Sequence, residues 1–312
     1  MGRGCIDISH TYLAYNKRLQ ITPTKPKIPN NYANQPNKYS KNAKKDGFIL
    51  FILHKTIKSG DIMLELNKLY NMDCMEGMQQ IPDKSIDMIL CDLPYGTTAC
   101  KWDSVIPFEP LWGQYERIIK DNGAIVLFGS EPFSSLLRTS NIKMYRHEWI
   151  WYKDKSGNFM NCKFEPMKVH ENIMIFGKKK GTYNPIMELR NEKNKRNNKP
   201  RTNTSNIIHT QEFYTEKSRG NSDYKYPTSI KYFNSVRNGL HPTQKPVDLC
   251  EYLIKTYTNE GELVLDNCIG SGTTAIACIN TNRNFIGFEL DTGYFNLANE
   301  RIANHFNPLS LI

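Results

Sequence analysis

Asp92-Leu93-Pro94-Tyr95 is the segment of this chain best equipped for chemistry, and it closes an apolar run, Ile86-Asp87-Met88-Ile89-Leu90-Cys91. A strand that ends in a carboxylate, a stiff Pro and an aromatic ring sets a hydrogen-bond acceptor beside a flat stacking surface. Such a pair suits a planar base carrying an amino group. The nitrogen of that group is a poor nucleophile, because its lone pair is delocalised into the ring. A carboxylate and a backbone carbonyl accepting its two N–H bonds favour the pyramidal, more nucleophilic form. Asp92 supplies the first acceptor in this reading and the Leu93 carbonyl the second. Pro94 fixes its own φ and confines Leu93 to extended geometry, which gives that carbonyl a set direction. Tyr95 is the ring on which a base flipped out of a duplex would stack. The plainer alternative is a strand end, a Pro turn and a core Tyr, and the four residues alone favour it.

A second constellation shifts that balance. Glu262-Leu263-Val264-Leu265-Asp266 reads as a buried strand, followed by Asn267-Cys268-Ile269-Gly270-Ser271-Gly272-Thr273-Thr274 and a helical stretch from Ala275 to about Thr281. Asn284-Phe285-Ile286-Gly287-Phe288 is a further strand and ends in Glu289. Strand, Gly-rich turn, helix, strand and acidic end make the βαβ unit that binds an adenosine-containing cofactor. Its glycines let the backbone come close and its carboxylate holds ribose hydroxyls. A Gly-x-Gly alone is a weak signal, whereas here the whole unit is present.

These two motifs, in this order, resemble the β class of amino-methylating DNA methyltransferases, which use S-adenosyl-L-methionine. A third signature lies between them, His241-Pro242-Thr243-Gln244-Lys245-Pro246-Val247, and the run from Asp92 to Thr98 with Lys101-Trp102-Asp103 is similar to the phage and prophage branch. The resemblance covers roughly residues 63 to 305. It implies that Asp92, Leu93, Pro94 and Tyr95 form the catalytic loop. It further implies that Asp266 meets the methionine ammonium, that Gly270, Ser271, Gly272, Thr273 and Thr274 line the cofactor pocket, and that Glu289 takes the ribose. Lys245 falls in the methionine carboxylate region and Asp73 faces the adenine. Two departures stand out: Leu93 replaces the first Pro of the catalytic motif, and Asn267-Cys268 replaces the usual Pro-Phe after the cofactor Asp. Double-stranded DNA is the implied partner. A companion restriction endonuclease and a second copy of the chain, as a homodimer, are partners the resemblance allows.

Composition agrees with a polyanion as partner. The 312-residue chain has a formal net charge of +10, unevenly spread. Between Gly177 and Leu240, fourteen Lys and Arg face five acids, and residues 1 to 60 hold eleven basic side chains against two acidic ones. The rest is therefore net acidic, and such basic blocks suit nucleic acid. In the 177–240 segment Tyr183, Phe213, Tyr214, Tyr224, Tyr226, Tyr232 and Phe233 interleave with the charges, as nucleic-acid surfaces often do. The expected organisation is a basic, disordered arm over 1–62, a catalytic half over 63–176, a target-recognition insert over 177–240 and a cofactor-binding half over 241–312.

Eight cysteines occur without a Cys-x-x-Cys and without a secretory leader, which argues against zinc and disulfide frameworks and for a reducing cytoplasm. Cys91 beside Asp92 reads as a buried strand thiol, since covalent attack serves methylation of a ring carbon and not of an amino group. Phe48 to Leu53 is apolar but too short to cross a bilayer. Strands are expected near 66–72, 86–91, 123–128, 147–152, 171–176, 262–266 and 284–289, with helices near 110–121, 131–139, 247–258, 273–281 and 292–305. Seven strands alternating with helices predict a doubly wound α/β sheet with both motifs at carboxyl ends of strands, and the resemblance implies that it is of the methyltransferase, Rossmann-like kind. Trp102 and Asp103 lie in a polar stretch that reads either as a loop closing over a flipped base or as a loop packed by its Trp. His170 and Glu171 precede a strand without a partner at metal-ligand spacing and read as structural polar residues.

Three functions fit the residues. The first is a DNA methyltransferase acting on N6 of adenine, with N4 of cytosine as the near alternative; Asp at position 92 is the more usual adenine choice in the family. The second is a nicotinamide-dependent oxidoreductase, because Gly270-x-Gly272-x-x-Ala275 with Glu289 also fits a dinucleotide fingerprint. That reading leaves the Asp92 motif and the basic insert unexplained. The third is a non-catalytic DNA-binding relative.

Overall fold

The computed structural model describes residues 56–59, 62–96, 103–190, 223–237, 239–240 and 243–306. Chain order gives β1 (Thr56–Ser59), β2 (Ile62–Glu65), β3 (Lys68–Asn71), α1 (Cys74–Gln79), β4 (Ile86–Cys91), α2 (Phe108–Ile118), β5 (Ile119–Gly129) and α3 (Phe133–Ser140). It continues with β6 (Tyr145–Gly157), β7 (Lys168–Phe176), β8 (Glu188–Leu189), β9 (Tyr224–Lys225), β10 (Ile230–Tyr232) and α4 (Val247–Tyr257). Last come β11 (Leu263–Asp266), α5 (Thr273–Asn280), β12 (Asn284–Glu289) and α6 (Thr292–Phe306).

Eight strands form the main sheet in the order β10-β6-β7-β5-β4-β11-β12-β3. All its neighbours pair in parallel except around β7, which runs antiparallel to both β5 and β6. The seven expected strands are all there. The eighth, β10, comes from the end of the 177–240 segment and adds to β6. β1 pairs antiparallel with β2, so Thr56–Ser59 is strand where an arm was expected. The rest of that arm, with Phe48 to Leu53, lies outside the described residues.

Burial on both faces explains why the strands read as nearly continuous apolar runs. In β4, Ile89 and Cys91 enter one core layer while Met88 and Leu90 enter the other. Leu111, Trp112, Tyr115, Phe133 and Leu137 of α2 and α3 cover the first face. Leu249, Cys250, Leu253, Ile254, Ala275, Cys278 and Ala298 of α4, α5 and α6 cover the second. The one charge in β4, Asp87, is buried, yet it accepts from the Leu263 amide at 3.0 Å and from Lys120 at 2.7 Å. It therefore ties β4 to the strand beside it.

From β4 the chain crosses to β5 on one side, and from β11 it crosses to β12 on the other. The crevice outside the carboxyl ends of β4 and β11 is thus the topological switch point, where open α/β sheets take ligands. No helix among the described residues is long and apolar enough to cross a membrane.

Candidate active site

A cleft of about 460 Å³ opens at that switch point. Asp73, Asp92, Leu93, Pro94, Tyr95, Lys245, Asp266, Gly270, Ser271, Thr273, Thr274 and Glu289 all line it, bringing together residues more than 200 positions apart. Gly272 is not on that wall. Its φ is +79°, and a Cβ there would lie 3.2 Å from the Ala298 side chain, so this glycine lets α6 pack against the turn that opens α5.

Asp92 follows the last residue of β4. Its Oδ1 accepts the Tyr95 hydroxyl at 2.8 Å and its Oδ2 accepts from the Lys245 ammonium. Burial pushes its carboxyl above the ordinary value, and Lys245 only partly offsets that. Tyr95 stacks on Phe133 with ring centroids 4.7 Å apart and planes 27° from parallel. Its hydroxyl is held on Asp92, and burial followed by the charge of Asp92 keeps its pKa well above that of a free phenol. Leu93 sinks its side chain into the core, which anchors the backbone of the loop. Beyond Tyr95, Gly96 adopts φ +69°, and its amide donates to Asp103 at 2.8 Å. Asp103 is thereby an anchor for the loop that carries Asp92 and Tyr95; Trp102 lies outside the described residues.

The Gly-rich turn is wired from both ends. Asp266 is buried, accepting the Thr274 hydroxyl at 2.6 Å and the Cys268 amide at 3.1 Å, and burial pushes its carboxyl up to about 7. Glu289 accepts the Gly270 amide at 2.8 Å and the Asp291 amide at 2.9 Å. Both carboxylates therefore shape the turn and keep lone pairs for a ligand, since each oxygen can accept more than once. Ser271 and Thr273 accept from Arg301 of α6, at 2.9 Å to the Ser271 carbonyl and 3.1 Å to the Thr273 hydroxyl. Asp73 caps α1 by accepting the Met75 amide at 2.7 Å. At the Asn267-Cys268 departure, Asn267 accepts the buried Tyr115 hydroxyl at 2.6 Å and Cys268 packs on the core.

Lys245 lines the same cleft, on the side of Asp92. Its ammonium is bonded to Asp92, 3.6 Å from Glu171 and 5.1 Å from the centre of the Phe128 ring. Glu171, a polar residue whose neighbours the sequence does not show, stands on the cleft wall. A lone Glu at the start of an apolar run gave no sign of its neighbours. Only the antiparallel insertion of β7 beside β5 carries it to the carboxyl edge.

The basic segment also divides in a way composition hides. Lys178 and Lys179 pair with Asp121 at 3.9 and 3.0 Å, near the start of β5, the edge of the sheet remote from the cleft. Lys225 and Lys231 flank Glu188, and Arg237 reaches Asp154 at 3.7 Å. These cations are engaged within the protein. Lys193, Lys195, Arg196, Lys199, Arg201, Lys217 and Arg219 lie outside the described residues.

An open α/β sheet whose adjacent strands β4 and β11 both end in carboxylates on one cleft defines a class, the α/β enzymes that hold an adenosine cofactor at the carboxyl edge. A family model described as DNA methylase, covering N6 and N4 enzymes, matches residues 86–300, and the chain belongs to that family. It is 30% identical over 263 residues to the type II methyltransferase M1.MboII of Moraxella bovis, an alignment spanning 76% of this chain and 96% of the relative. It is 28% identical over 282 residues to the DNA adenine methyltransferase YhdJ of Escherichia coli (strain K12), spanning 82% and 86%. Among solved structures it resembles the complex of M1.HpyAVI with SAM, with TM-score 0.51 and 25% identity, covering 75% of this chain and 98% of that one.

Proposed function

We propose that the chain transfers the methyl group of S-adenosylmethionine to the N6 amino group of adenine in duplex DNA. One observation carries this reading: the Asp92 loop, an acceptor site for an amino group, opens into the same cleft as Asp266, Gly270 and Glu289, an acceptor set for a cationic adenosine cofactor. The adenine relative YhdJ and the SAM complex of M1.HpyAVI support the choice of base and of cofactor. When bound, S-adenosylmethionine supplies an electrophilic methyl carbon on a sulfonium, whose carbon–sulfur pair stays on sulfur as the methyl leaves.

The residues of the chain do the rest. Asp266 offers a carboxylate to the ammonium of the methionine part, and Glu289 offers lone pairs to the ribose hydroxyls. Asp92 and the Leu93 carbonyl accept the two N–H bonds of the target amino group and turn its lone pair toward the methyl carbon. As the new N–C bond forms, one N–H proton passes to the Asp92 carboxylate and on to water. Tyr95 steadies the flipped base with its ring and Asp92 with its hydroxyl. Within the 177–240 segment, Lys178, Lys179, Lys225 and Lys231 have acidic partners, so the remaining cations, those of 191–222 among them, are the ones offered to the phosphates. Type II designations among the relatives favour a place beside a companion endonuclease.

The test is methylation of plasmid DNA with isotopically labelled cofactor, followed by nucleoside mass spectrometry. N6-methyladenine is expected. N4-methylcytosine would overturn the choice of base, and absence of any labelled nucleoside would overturn the activity.

A further inference from the structure

Four side chains form a file of alternating charge, Asp92, Lys245, Glu171 and Lys153, the first three of them on the cleft wall. Lys245 donates to Asp92 Oδ2 and lies 3.6 Å from Glu171 Oε2, while Lys153 donates to Glu171 Oε1. Lys245 is 8% exposed and Glu171 15%. Glu171 Oε2 is buried and accepts no hydrogen bond. One ammonium thus stands between two carboxylates, bonded to one and just out of reach of an empty acceptor on the other. The lysines beside Glu171 outweigh its burial and hold its carboxyl below the ordinary range, so it stays an anion able to receive a cation.

With Lys245 on Oδ2 and the Tyr95 hydroxyl on Oδ1, both oxygens of Asp92 are engaged and its charge is largely neutralised. A carboxylate in that state pulls weakly on an incoming N–H. We propose that Glu171 is a positioning residue that draws Lys245 away from Asp92 when the target amino group arrives, so that Asp92 accepts from the base while the ammonium rests on Glu171. The shift needed is small, because 3.6 Å closes to a hydrogen bond with less than an ångström of movement. Lys153, fixed on Oε1 and over the Trp151 ring at 4.6 Å, holds the receiving carboxylate in place. The inference rests on Asp92 acting on the target amino group.

The experiment is single-turnover methyl transfer by the full chain, with cofactor and DNA affinities measured on the same samples. Glu171→Gln keeps the shape and a neutral acceptor but removes the charge. It should slow transfer at saturation about tenfold or more, within the roughly 2- to 150-fold range of coupling inside one charged network, while both affinities change less than about threefold. Glu171→Asp, which keeps the charge, should recover part of the loss. In a Lys245→Met background, Glu171→Gln should add nothing further, because the residue acts through Lys245. A folded Glu171→Gln with an unchanged rate would overturn the proposal. So would losses confined to melting temperature or cofactor affinity, or effects of Glu171→Gln and Lys245→Met that simply multiply. Should either variant of the pair fail to fold, Glu171→Asp decides by the same split between rate and affinity. Asp92→Ala run in parallel separates the two readings: if it turns over normally the Asp92 assignment fails, and if only the Glu171 variants are silent this inference alone fails.

Discussion

Replacing Asp92 by Ala removes a group that the structure places at the end of β4 with both oxygens occupied, Oδ1 by Tyr95 at 2.8 Å and Oδ2 by Lys245. Its pull on the amino group strengthens as the nitrogen becomes pyramidal, so the loss falls on kcat and not on binding. One preorganised electrostatic group of this kind contributes about 2.7–4 kcal/mol, or about two to three decades in rate. Stability should change little. Burial already makes the ionised carboxylate costly, and Glu171 remains 3.6 Å away to receive the freed ammonium. A melting temperature within about 2 °C of the parent corresponds to roughly 1 kcal/mol in a chain of this size. Rapid-quench transfer of labelled methyl to duplex DNA measures the rate, and calorimetry measures cofactor affinity, which should stay within about threefold. Transfer near the parent rate by the folded variant would refute the role given to Asp92.

The other expectations concern the same cleft and its DNA partner. Asp266, raised to about 7 in the free protein, binds a cationic cofactor only as the carboxylate; affinity should hold above pH 7 and fall about tenfold per unit below it. Calorimetry at pH 6 and 8 should show that slope, with Asp266→Asn weak at both. Glu289→Ala should weaken cofactor binding by about one to two decades, through lost ribose bonds and a freed Gly270 amide, and unchanged affinity in a folded variant would exclude it from the site. Tyr95→Phe keeps the ring but gives up the bond to Asp92, so transfer should drop about tenfold, whereas Tyr95→Ala should lose a further 1–3 kcal/mol, roughly, in holding the base. Neutralising Lys193, Lys195, Arg196, Lys199 and Arg201 should flatten the salt dependence of DNA binding by about one counterion per lost phosphate contact. Neutralising Lys178 and Lys179, which pair with Asp121, should leave that slope as it was.

Much of this was written in the chain order itself. Apolar runs flanked by Pro, Gly and Asp marked β4, β5, β7, β11 and β12, because strands covered on both faces leave no polar alternation to confuse them. Asp92, Asp266 and Glu289 were legible for a related reason: each ends a strand, where polarity breaks abruptly. The βαβ unit is local, so its glycines and its acid could be read together. Composition could not say which cations have partners, since Lys178 and Asp121, or Lys231 and Glu188, meet only when distant segments pair.

Tertiary structure alone decided what surrounds Asp92. Lys245 precedes α4 and Glu171 lies in the first half of β7; nothing in either neighbourhood points to the other, or to Asp92. They meet because β7 runs against its neighbours and so delivers its first residues, rather than its last, to the edge where β4 and β11 end. Strand direction is set by how a whole sheet closes its edges and buries both faces, a sum over many weak contacts that no single residue announces. The sequence by itself determined which groups could react, and the sheet decided which charges hold them in check.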